Sequence, residues 1–139
     1  MPPEPIRVLF VCMENACRSQ IAEAFARHYG GPRLEAYSAG SRPRGSVDAT
    51  AIAVMHEKGL DLSAQTSKGL AALPPQVWDA LVTMGCGEAC PHLPAQRRMD
   101  WTISDPAGQP LAVYRHVREA IDQAVQRLVN ELTAHAVRR

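Results

Sequence analysis

The feature that most constrains the fold is an apolar run near the amino terminus, residues 6–11, which is interrupted only by Arg7. A run of this length without polar alternation is typical of a strand that is buried on both faces, as strands are in a parallel sheet. The residues that follow have helical spacing, with Ile21, Phe25 and Tyr29 on one side. A buried strand that leads into an amphipathic helix indicates an α/β layer fold.

Strand and helix patterns alternate along the rest of the chain. The predicted strands are residues 6–11, 34–39, 80–84 and 99–103, and the predicted helices are residues 19–29, 48–58, 66–73 and 111–134. There is no internal repeat, low-complexity segment or linker. The alternation therefore predicts a single α/β domain over residues 1–139, with a parallel sheet and a core over residues 6–132.

Composition limits the functions that the chain can have. Its 139 residues are 46% apolar and 21% charged, which is enough for one packed core and is not typical of disorder. A net charge of +1 argues against nucleic acid as a partner, and no stretch is long and apolar enough to cross a membrane. The amino terminus lacks the pattern of a secretory signal, so we expect a cytoplasmic protein, which the composition allows to be a monomer. Four cysteines in that reducing compartment point to reactive or metal-binding thiols.

Cys12 and Cys86 each follow a predicted strand, at the sheet edge where α/β folds bind ligands. After Cys12 the chain enters a predicted helix through a loop, whose backbone N–H groups and helix dipole favour an anion. The same donors stabilise a thiolate, and Arg18 is suited to clamp the oxygens of a tetrahedral ion. The segment is therefore interpreted as a nucleophile in an oxyanion-binding loop, formed by Cys12, Met13, Glu14, Asn15, Ala16, Cys17, Arg18 and Ser19.

Three side chains of this segment have supporting roles in the interpretation. Asn15 is expected to hold the shape of the loop, and Ser19 to donate a hydrogen bond to the Cys12 thiolate. Cys17 is expected to pack beneath the loop as a small hydrophobic residue, and a redox-backup or resolving thiol is the alternative. The alternative for the whole segment is a buried structural cysteine beside a surface arginine, which the succession of strand, loop and helix disfavours.

The sequence resembles the low-molecular-weight tyrosine phosphatase superfamily, which includes the thioredoxin-coupled arsenate reductases. The resemblance lies in residues 8–12, Asn15, residues 17–19 and Glu23. Residues 37–40 match the second strand of that superfamily. The resemblance extends over nearly the whole chain. It implies a flavodoxin-like fold, in which a four-stranded parallel sheet is flanked by helices.

The resemblance also bears on several polar residues outside the cysteines. Asp105 matches the family's general acid, which protonates the leaving oxygen, although an aspartate before proline is also a common turn signal. Glu14 stands where the family often has glycine, so its carboxylate must point away from a bound anion, or the loop binds oxyanions less tightly. Some resembling reductases bind potassium beside the loop, at positions that Asn15, Glu23, Ser38 and Thr66 match loosely.

Cys86 and Cys90 follow the third predicted strand, and a plain phosphatase does not need them. The resemblance implies that Cys12 attacks arsenate, that Cys86 then forms a disulfide with Cys12 as arsenite leaves, and that Cys90 takes over the disulfide. Only three residues separate Cys86 from Cys90, fewer than in the familiar members, which leaves the order of attack open. The alternatives are a metal site that includes His92 and a pair of structural cysteines.

The leading interpretation is reduction of arsenate to arsenite by this thiol relay, with an external thiol reductant and no tightly bound cofactor. Potassium beside the loop is left open by the resemblance. Thioredoxin, glutaredoxin and a low-molecular-weight thiol are all open as the electron donor. A phosphatase acting on phosphotyrosine or another phosphomonoester is the alternative, although residues 41–47 contain no aromatic side chain that could stack on a tyrosyl ring. A third interpretation is a non-catalytic redox or metalloid sensor that uses the same cysteines.

Overall fold

The computed structural model describes the backbone of residues 4–85 and 92–137, and the side chains as far as residue 134. The strands within these residues are β1 (Ile6–Cys12), β2 (Leu34–Gly40), β3 (Trp78–Thr83) and β4 (Ala95–Asp100). They form one parallel sheet in the order β2-β1-β3-β4, which confirms the predicted fold class. The helices are α1 (Arg18–Gly30), α2 (Ala49–His56) and α3 (Leu111–Val137), with short 3₁₀ turns at Gly31–Arg33 and Leu70–Ala72.

β1 lies in the interior of the sheet, as its apolar run predicts. Successive side chains of a strand point to opposite faces, so Phe10 and Cys12 share one face of the sheet and Leu9 and Val11 share the other. Phe10 and Cys12 pack in a cluster with apolar residues of all three helices. Leu9 and Val11 pack in a second cluster that includes Trp78. Both faces of β1 are therefore covered, and Cys12 lies on the face that α1 covers.

α1 begins without a side-chain cap. Cys17, which precedes the helix, makes no capping hydrogen bond, whereas Asp48 caps α2 by accepting a hydrogen bond from Thr50 N at 2.8 Å. The first N–H groups of a helix have no partner within the helix. Those of α1 are therefore available to a ligand. α2 ends shortly before Gly59, whose φ of +76° provides a left-handed stop.

The prediction of a fourth strand at residues 99–103 was wrong in its position, because β4 ends at Asp100. β4 is an edge strand and is mostly exposed, so its sequence carries no apolar pattern. The apolar residues that suggested the later position, Trp101 and Ile103, lie beyond the strand and pack against the core. Pairing with β3, rather than hydrophobicity, places this strand.

The prediction of a short helix at residues 66–73 was also wrong, because only Leu70–Ala72 forms a helical turn. The residues before this turn bond to the end of β2 instead. Gly40 N donates to Lys68 O at 2.9 Å, and Gly40 forms a parallel bridge with Gly69. Tertiary pairing thus outweighs the local tendency of the segment.

α3 is amphipathic, and its apolar side faces the same core cluster as α1. The side chains buried along this side include those of Val117, Ile121, Val125 and Leu128. No helix in the described ranges is both long enough and apolar enough to cross a membrane. The amphipathic pattern predicted for residues 111–134 is therefore that of a helix packed on the sheet.

Candidate active site

Residues 13–17, here called the cradle loop, connect β1 to α1 and are held from outside by the segment 41–48. Four amides of this segment donate to carbonyls in and next to the loop: Ser41 to Cys12 (3.4 Å), Arg42 to Met13 (2.7 Å), Arg44 to Glu14 (3.0 Å) and Asp48 to Ala16 (2.8 Å). Inside the described part of the chain, the amides of residues 13–17 donate to no protein acceptor. Because these carbonyls are engaged outside and the amides are unpaired, the loop is suited to bind an anion.

The end of β2 comes very close to the cradle loop, and Gly40 makes this approach possible. A Cβ atom on Gly40 would lie 2.7 Å from Met13 O, 2.8 Å from Asn15 N and 2.9 Å from the Glu14 carbonyl carbon. All three are backbone atoms, so a larger residue at this position would have to reshape the loop. Gly40, which the sequence marked only as a strand end, therefore supports the candidate site.

Asn15 gives the cradle loop its shape. Its φ of +51° is in the left-handed region, which asparagine adopts more readily than most residues. Its buried side chain donates to Ser19 Oγ at 2.8 Å, and its Oδ1 accepts from Gln20 Nε2 and from Lys68 N at 2.9 Å each. Asn15 thus connects the loop to α1 and to the segment that follows residue 65.

Gln20 is a second support, which sequence reasoning missed. It is fully buried on α1, and its Nε2 lies 2.9 Å from both Asn15 O and Thr66 O. Gln65 donates in turn to Gln20 Oε1 at 2.6 Å. A glutamine in the first turn of a helix is common, so only its place directly after residues 18–19 could have pointed to this role.

The Cys12 sulfur lies at the carboxyl end of β1, where the side chain is almost fully buried. It is 2.9 Å from Ser19 Oγ. Because Ser19 Oγ already accepts a hydrogen bond from Asn15 Nδ2, its own hydrogen is available to the sulfur. The predicted contact between Ser19 and Cys12 is therefore present, in a geometry that suits a sulfur with negative charge.

Arg18 lies in the first turn of α1 with its guanidinium group buried. Its Nη1 donates to Ile103 O at 3.0 Å, and its Nη2 is 3.8 Å from Asp105 Oδ2. Gly85, which follows β3, lies against another side of the guanidinium group, since a Cβ atom on Gly85 would lie 2.5 Å from Arg18 Nη1. The guanidinium group is thus fixed between the chain that leaves β3 and the chain that follows β4.

Asp105 lies in the turn before α3, with half of its side chain exposed. Its Oδ1 accepts from Ala107 N at 3.0 Å, and its Oδ2 faces Arg18. An ion held by Arg18 would be within reach of Oδ2, a position from which a carboxylic acid can protonate a leaving oxygen. The geometry suits the turn role and the acid role at the same time.

Cys12, Arg18 and Asp105 line one small pocket at the carboxyl end of the sheet. Glu14 is exposed at this pocket, and Met13, which does not line it, contributes backbone atoms to the loop. The pocket is completed by two loop residues and by three residues that the sequence did not single out: Ala16, Cys17, Arg44, Asp48 and Ala107.

Cys17 is buried in the hydrophobic cluster of α1 and α3, although it also touches the pocket. Burial raises the pKa of the Cys17 thiol, and the carboxylates of Asp48 and Asp105 raise this pKa further. Cys17 therefore remains a neutral thiol at physiological pH. Its environment differs from that of Cys12, which has Ser19 as a hydrogen-bond partner.

The four residues that resemble a potassium site come together, but their oxygen atoms are already engaged. Ser38 Oγ donates to Glu23 Oε1 at 2.7 Å, and both residues are buried. Thr66 O accepts from Gln20, and Asn15 Oδ1 accepts from Gln20 and from a backbone amide. Glu23 Oε1, Thr66 O and Asn15 Oδ1 each accept from a protein donor, so a cation at these oxygens would compete with existing hydrogen bonds.

Two cationic side chains already lie beside the Glu23 carboxylate. Lys68 Nζ is 3.8 Å from Glu23 Oε1 and 3.2 Å from Thr66 O, and Arg27 Nη2 is 3.1 Å from Glu23 Oε2. Two cationic side chains therefore neutralise the buried carboxylate. The residues of this chain do not fit a bound potassium ion.

Cys86 and Cys90 lie outside the described residues. Gly85, the last described residue before them, is the residue that contacts Arg18. His92, the other residue of the alternative metal site, is exposed. Among the residues that the structure describes, no three His, Cys, Asp or Glu side chains are placed to hold a metal ion.

The family model described as low molecular weight phosphotyrosine protein phosphatase matches residues 7–138. The chain belongs to this family. A curated member of similar sequence is the glutaredoxin arsenate reductase of Synechocystis sp., which is 36% identical over 130 residues. That match covers 91% of this chain and 98% of the relative, so the two proteins correspond over almost their whole lengths.

Solved structures give the same family fold. An arsenate reductase in a phosphate-binding state superposes with a TM-score of 0.82 at 36% identity, over 91% of this chain and 98% of that one. The thioredoxin-dependent arsenate reductase of Corynebacterium glutamicum superposes with a TM-score of 0.80 at 30% identity, over 97% of this chain and 65% of that one. The family thus includes proteins named for phosphatase chemistry and proteins named for arsenate reduction.

Proposed function

We propose that this protein reduces arsenate to arsenite, with Cys12 as the nucleophile and with Cys86 and Cys90 as the thiols that receive the disulfide. The observation that carries the proposal is the contact between Gly85 and Arg18, because the chain continues from Gly85 directly into Cys86. The chain thus enters the segment of Cys86 and Cys90 from a residue that adjoins the Arg18 guanidinium group. Hydrolysis of a phosphate ester has no use for such a pair, whereas reduction of arsenate takes two electrons from thiols. The relatives named as arsenate reductases support this choice.

In the proposed reaction, the Cys12 thiolate attacks arsenic while Arg18 and the cradle-loop amides hold the oxygens. Asp105 gives a proton to the oxygen that leaves as water. Cys86 then attacks the Cys12 sulfur, and the sulfur–arsenic bond breaks with its electron pair remaining on arsenic, which leaves as arsenite. Cys90 attacks Cys86, which frees the Cys12 thiolate, and an external thiol reduces the resulting disulfide.

The proposed electron donor is a protein of the thioredoxin or glutaredoxin class, or a low-molecular-weight thiol. The names of the two relatives, glutaredoxin in one and thioredoxin-dependent in the other, support a thiol donor in general. The cytoplasm is the expected location, because thiols are kept reduced there. We also expect a monomer, since one chain supplies every group that the proposed reaction uses.

Phosphatase activity is the second candidate, since Cys12, Arg18 and Asp105 are also the groups that cleavage of a phosphomonoester requires. The family description names this chemistry. Among the described residues that line the pocket, however, none is aromatic. A tyrosyl ring would therefore find no side chain to stack on.

Cys90→Ser is expected to abolish steady-state arsenate reduction and to leave a single turnover. The variant can still form the disulfide between Cys12 and Cys86, but it cannot pass that disulfide on. NADPH oxidation is followed with arsenate and either the thioredoxin system or glutathione with glutaredoxin, and arsenite is quantified after rapid quenching. Hydrolysis of an aryl phosphate is measured alongside.

Cys17→Ser is the matched control, because it changes a thiol of the same loop that the relay does not use. This variant should retain reduction with the same donor. If only the aryl phosphate turns over, and Cys90→Ser makes no difference, the protein is a phosphatase and the proposed relay is wrong.

We expect the protein to be independent of potassium, because Lys68 and Arg27 already neutralise Glu23. Replacing potassium chloride by sodium chloride should leave the Tm and the KM for arsenate unchanged. Lys68→Gln should lower the Tm, since it removes a cation from a buried carboxylate, whereas loss of an exposed lysine in Lys58→Gln should change it little. A Tm of the unmodified protein that rises with potassium concentration would contradict this expectation.

A further inference from the structure

The pocket contains a carboxylate that the proposed reaction does not use, that of Asp48. Asp48 N donates to Ala16 O at 2.8 Å, which fixes this residue directly against the cradle loop. A negative charge at this place has the wrong sign for a site that binds an oxyanion. Its influence inside the pocket is visible at Cys17, whose thiol pKa it helps to raise. Some feature of the structure must therefore limit the effect of Asp48 on a bound anion.

Both oxygens of the Asp48 carboxylate are engaged by donors outside the cradle loop. Oδ1 accepts from Thr50 N at 2.8 Å, which caps α2. Oδ2 accepts from the Tyr114 hydroxyl at 2.5 Å, which reaches it from α3. Burial and the Asp48 carboxylate raise the pKa of Tyr114, so the phenol keeps the proton that it donates. These two bonds hold the carboxylate against the helices.

We propose that Tyr114 is a positioning residue for oxyanion binding, because its hydroxyl keeps the Asp48 carboxylate from competing with the substrate for Arg18. The tyrosine ring is buried in the main core cluster, so its hydroxyl is a fixed donor rather than a mobile one. Without it, the carboxylate keeps only the donor on α2. The cationic side chains that line the same pocket are those of Arg18 and Arg44. A carboxylate that turns towards Arg18 occupies the guanidinium group that a tetrahedral anion needs.

The proposal rests on the oxyanion site of the proposed function, but not on the reduction of arsenate. Binding of inorganic phosphate therefore tests it without any thiol step. The dissociation constant for phosphate is measured by calorimetry at neutral pH for the unmodified protein, Tyr114→Phe, Asp48→Asn and the double variant. The Tyr114→Phe substitution should weaken phosphate binding about tenfold, because the charged Asp48 carboxylate loses one of its two donors and can turn towards the anion. In the Asp48→Asn background, the same substitution should leave the constant unchanged.

A second tyrosine–aspartate pair provides the matched control. Tyr29 OH donates to Asp122 Oδ1 at 2.5 Å, between α1 and α3, and neither residue lines the pocket. Tyr29→Phe also deletes a hydroxyl that bonds to a carboxylate, and it should leave phosphate binding unchanged even if it lowers the Tm. A general loss of helix packing would affect both tyrosine variants in the same way.

Two results would overturn the proposal: phosphate binding that Tyr114→Phe does not weaken, or a weakening that persists when Asp48 is asparagine. If Tyr114→Phe does not fold, Asp48→Asn decides alone, because it should bind phosphate at least as tightly as the unmodified protein, and weaker binding would count against the proposal. A protein that does not bind phosphate at all would also overturn it. Expected binding results in a protein that does not reduce arsenate would support this inference while contradicting the proposed function.

Discussion

Cys12→Ser is expected to lower arsenate reduction by about 10⁴-fold or more while phosphate still binds. A serine hydroxyl is not ionised at neutral pH, so the variant lacks the nucleophile. Its oxygen also cannot form the disulfide with Cys86 through which arsenite would leave. The substitution replaces one atom, and the cradle-loop amides and Arg18 that hold the anion are unchanged.

Single-turnover arsenite formation and phosphate calorimetry on the same preparation measure these two effects separately. Loss of both would mean that the substitution has damaged the loop, and the result would then not identify the nucleophile. Retained reduction would show that another thiol attacks arsenate. Cys17 is the first thiol to examine in that case, through the variant that lacks both Cys12 and Cys17, because it touches the same pocket.

Gly85→Ala is expected to lower kcat/KM by about 10²-fold, since displacing a positioning group by 1 Å has effects of this size. The new Cβ atom would lie 2.5 Å from Arg18 Nη1, so the guanidinium group must move. The φ of Gly85 is +75°, which adds backbone strain of roughly 1 kcal/mol for a residue with a side chain. Steady-state kinetics measure the first effect, and urea unfolding measures the second.

Gly59→Ala separates these two contributions. Gly59 has a φ of +76°, almost the same as Gly85, but a Cβ atom there would meet nothing within 4 Å. The control variant should therefore lose a similar amount of stability and keep its kcat/KM. Equal activity losses in the two variants would mean that strain, and not the position of Arg18, limits the reaction.

The part of the site that could be predicted from sequence is the part that is continuous in the chain. The apolar run of β1, the residues of the loop and the start of α1 follow one another within residues 6–30, so each constrains the interpretation of the next. The contact between Cys12 and Ser19 belongs to this local set and was expected. The parallel sheet was expected for the same reason, because an interior strand shows its burial on both faces.

The supports that sequence reasoning missed come from distant parts of the chain. Tyr114 and Asp48 are 66 residues apart, and Lys68 reaches Asn15 through a backbone amide that has no sequence signature. β4 was misplaced because an edge strand is fixed by pairing and not by an apolar pattern. In each case the decisive interaction is a tertiary contact, which local sequence preferences do not predict.

The bonds from residues 41–48 to the cradle loop join backbone to backbone, and this has a consequence for how such a site can diversify. Amides of residues 41–48 support the loop, whereas the side chains at positions such as 42 and 44 take no part in that support. These side chains can therefore change the size and charge of the entrance without altering the anion-binding geometry beneath it. Selection for a different substrate can act on these side chains, because the loop does not need them for its shape. One family can therefore contain both phosphatases and arsenate reductases.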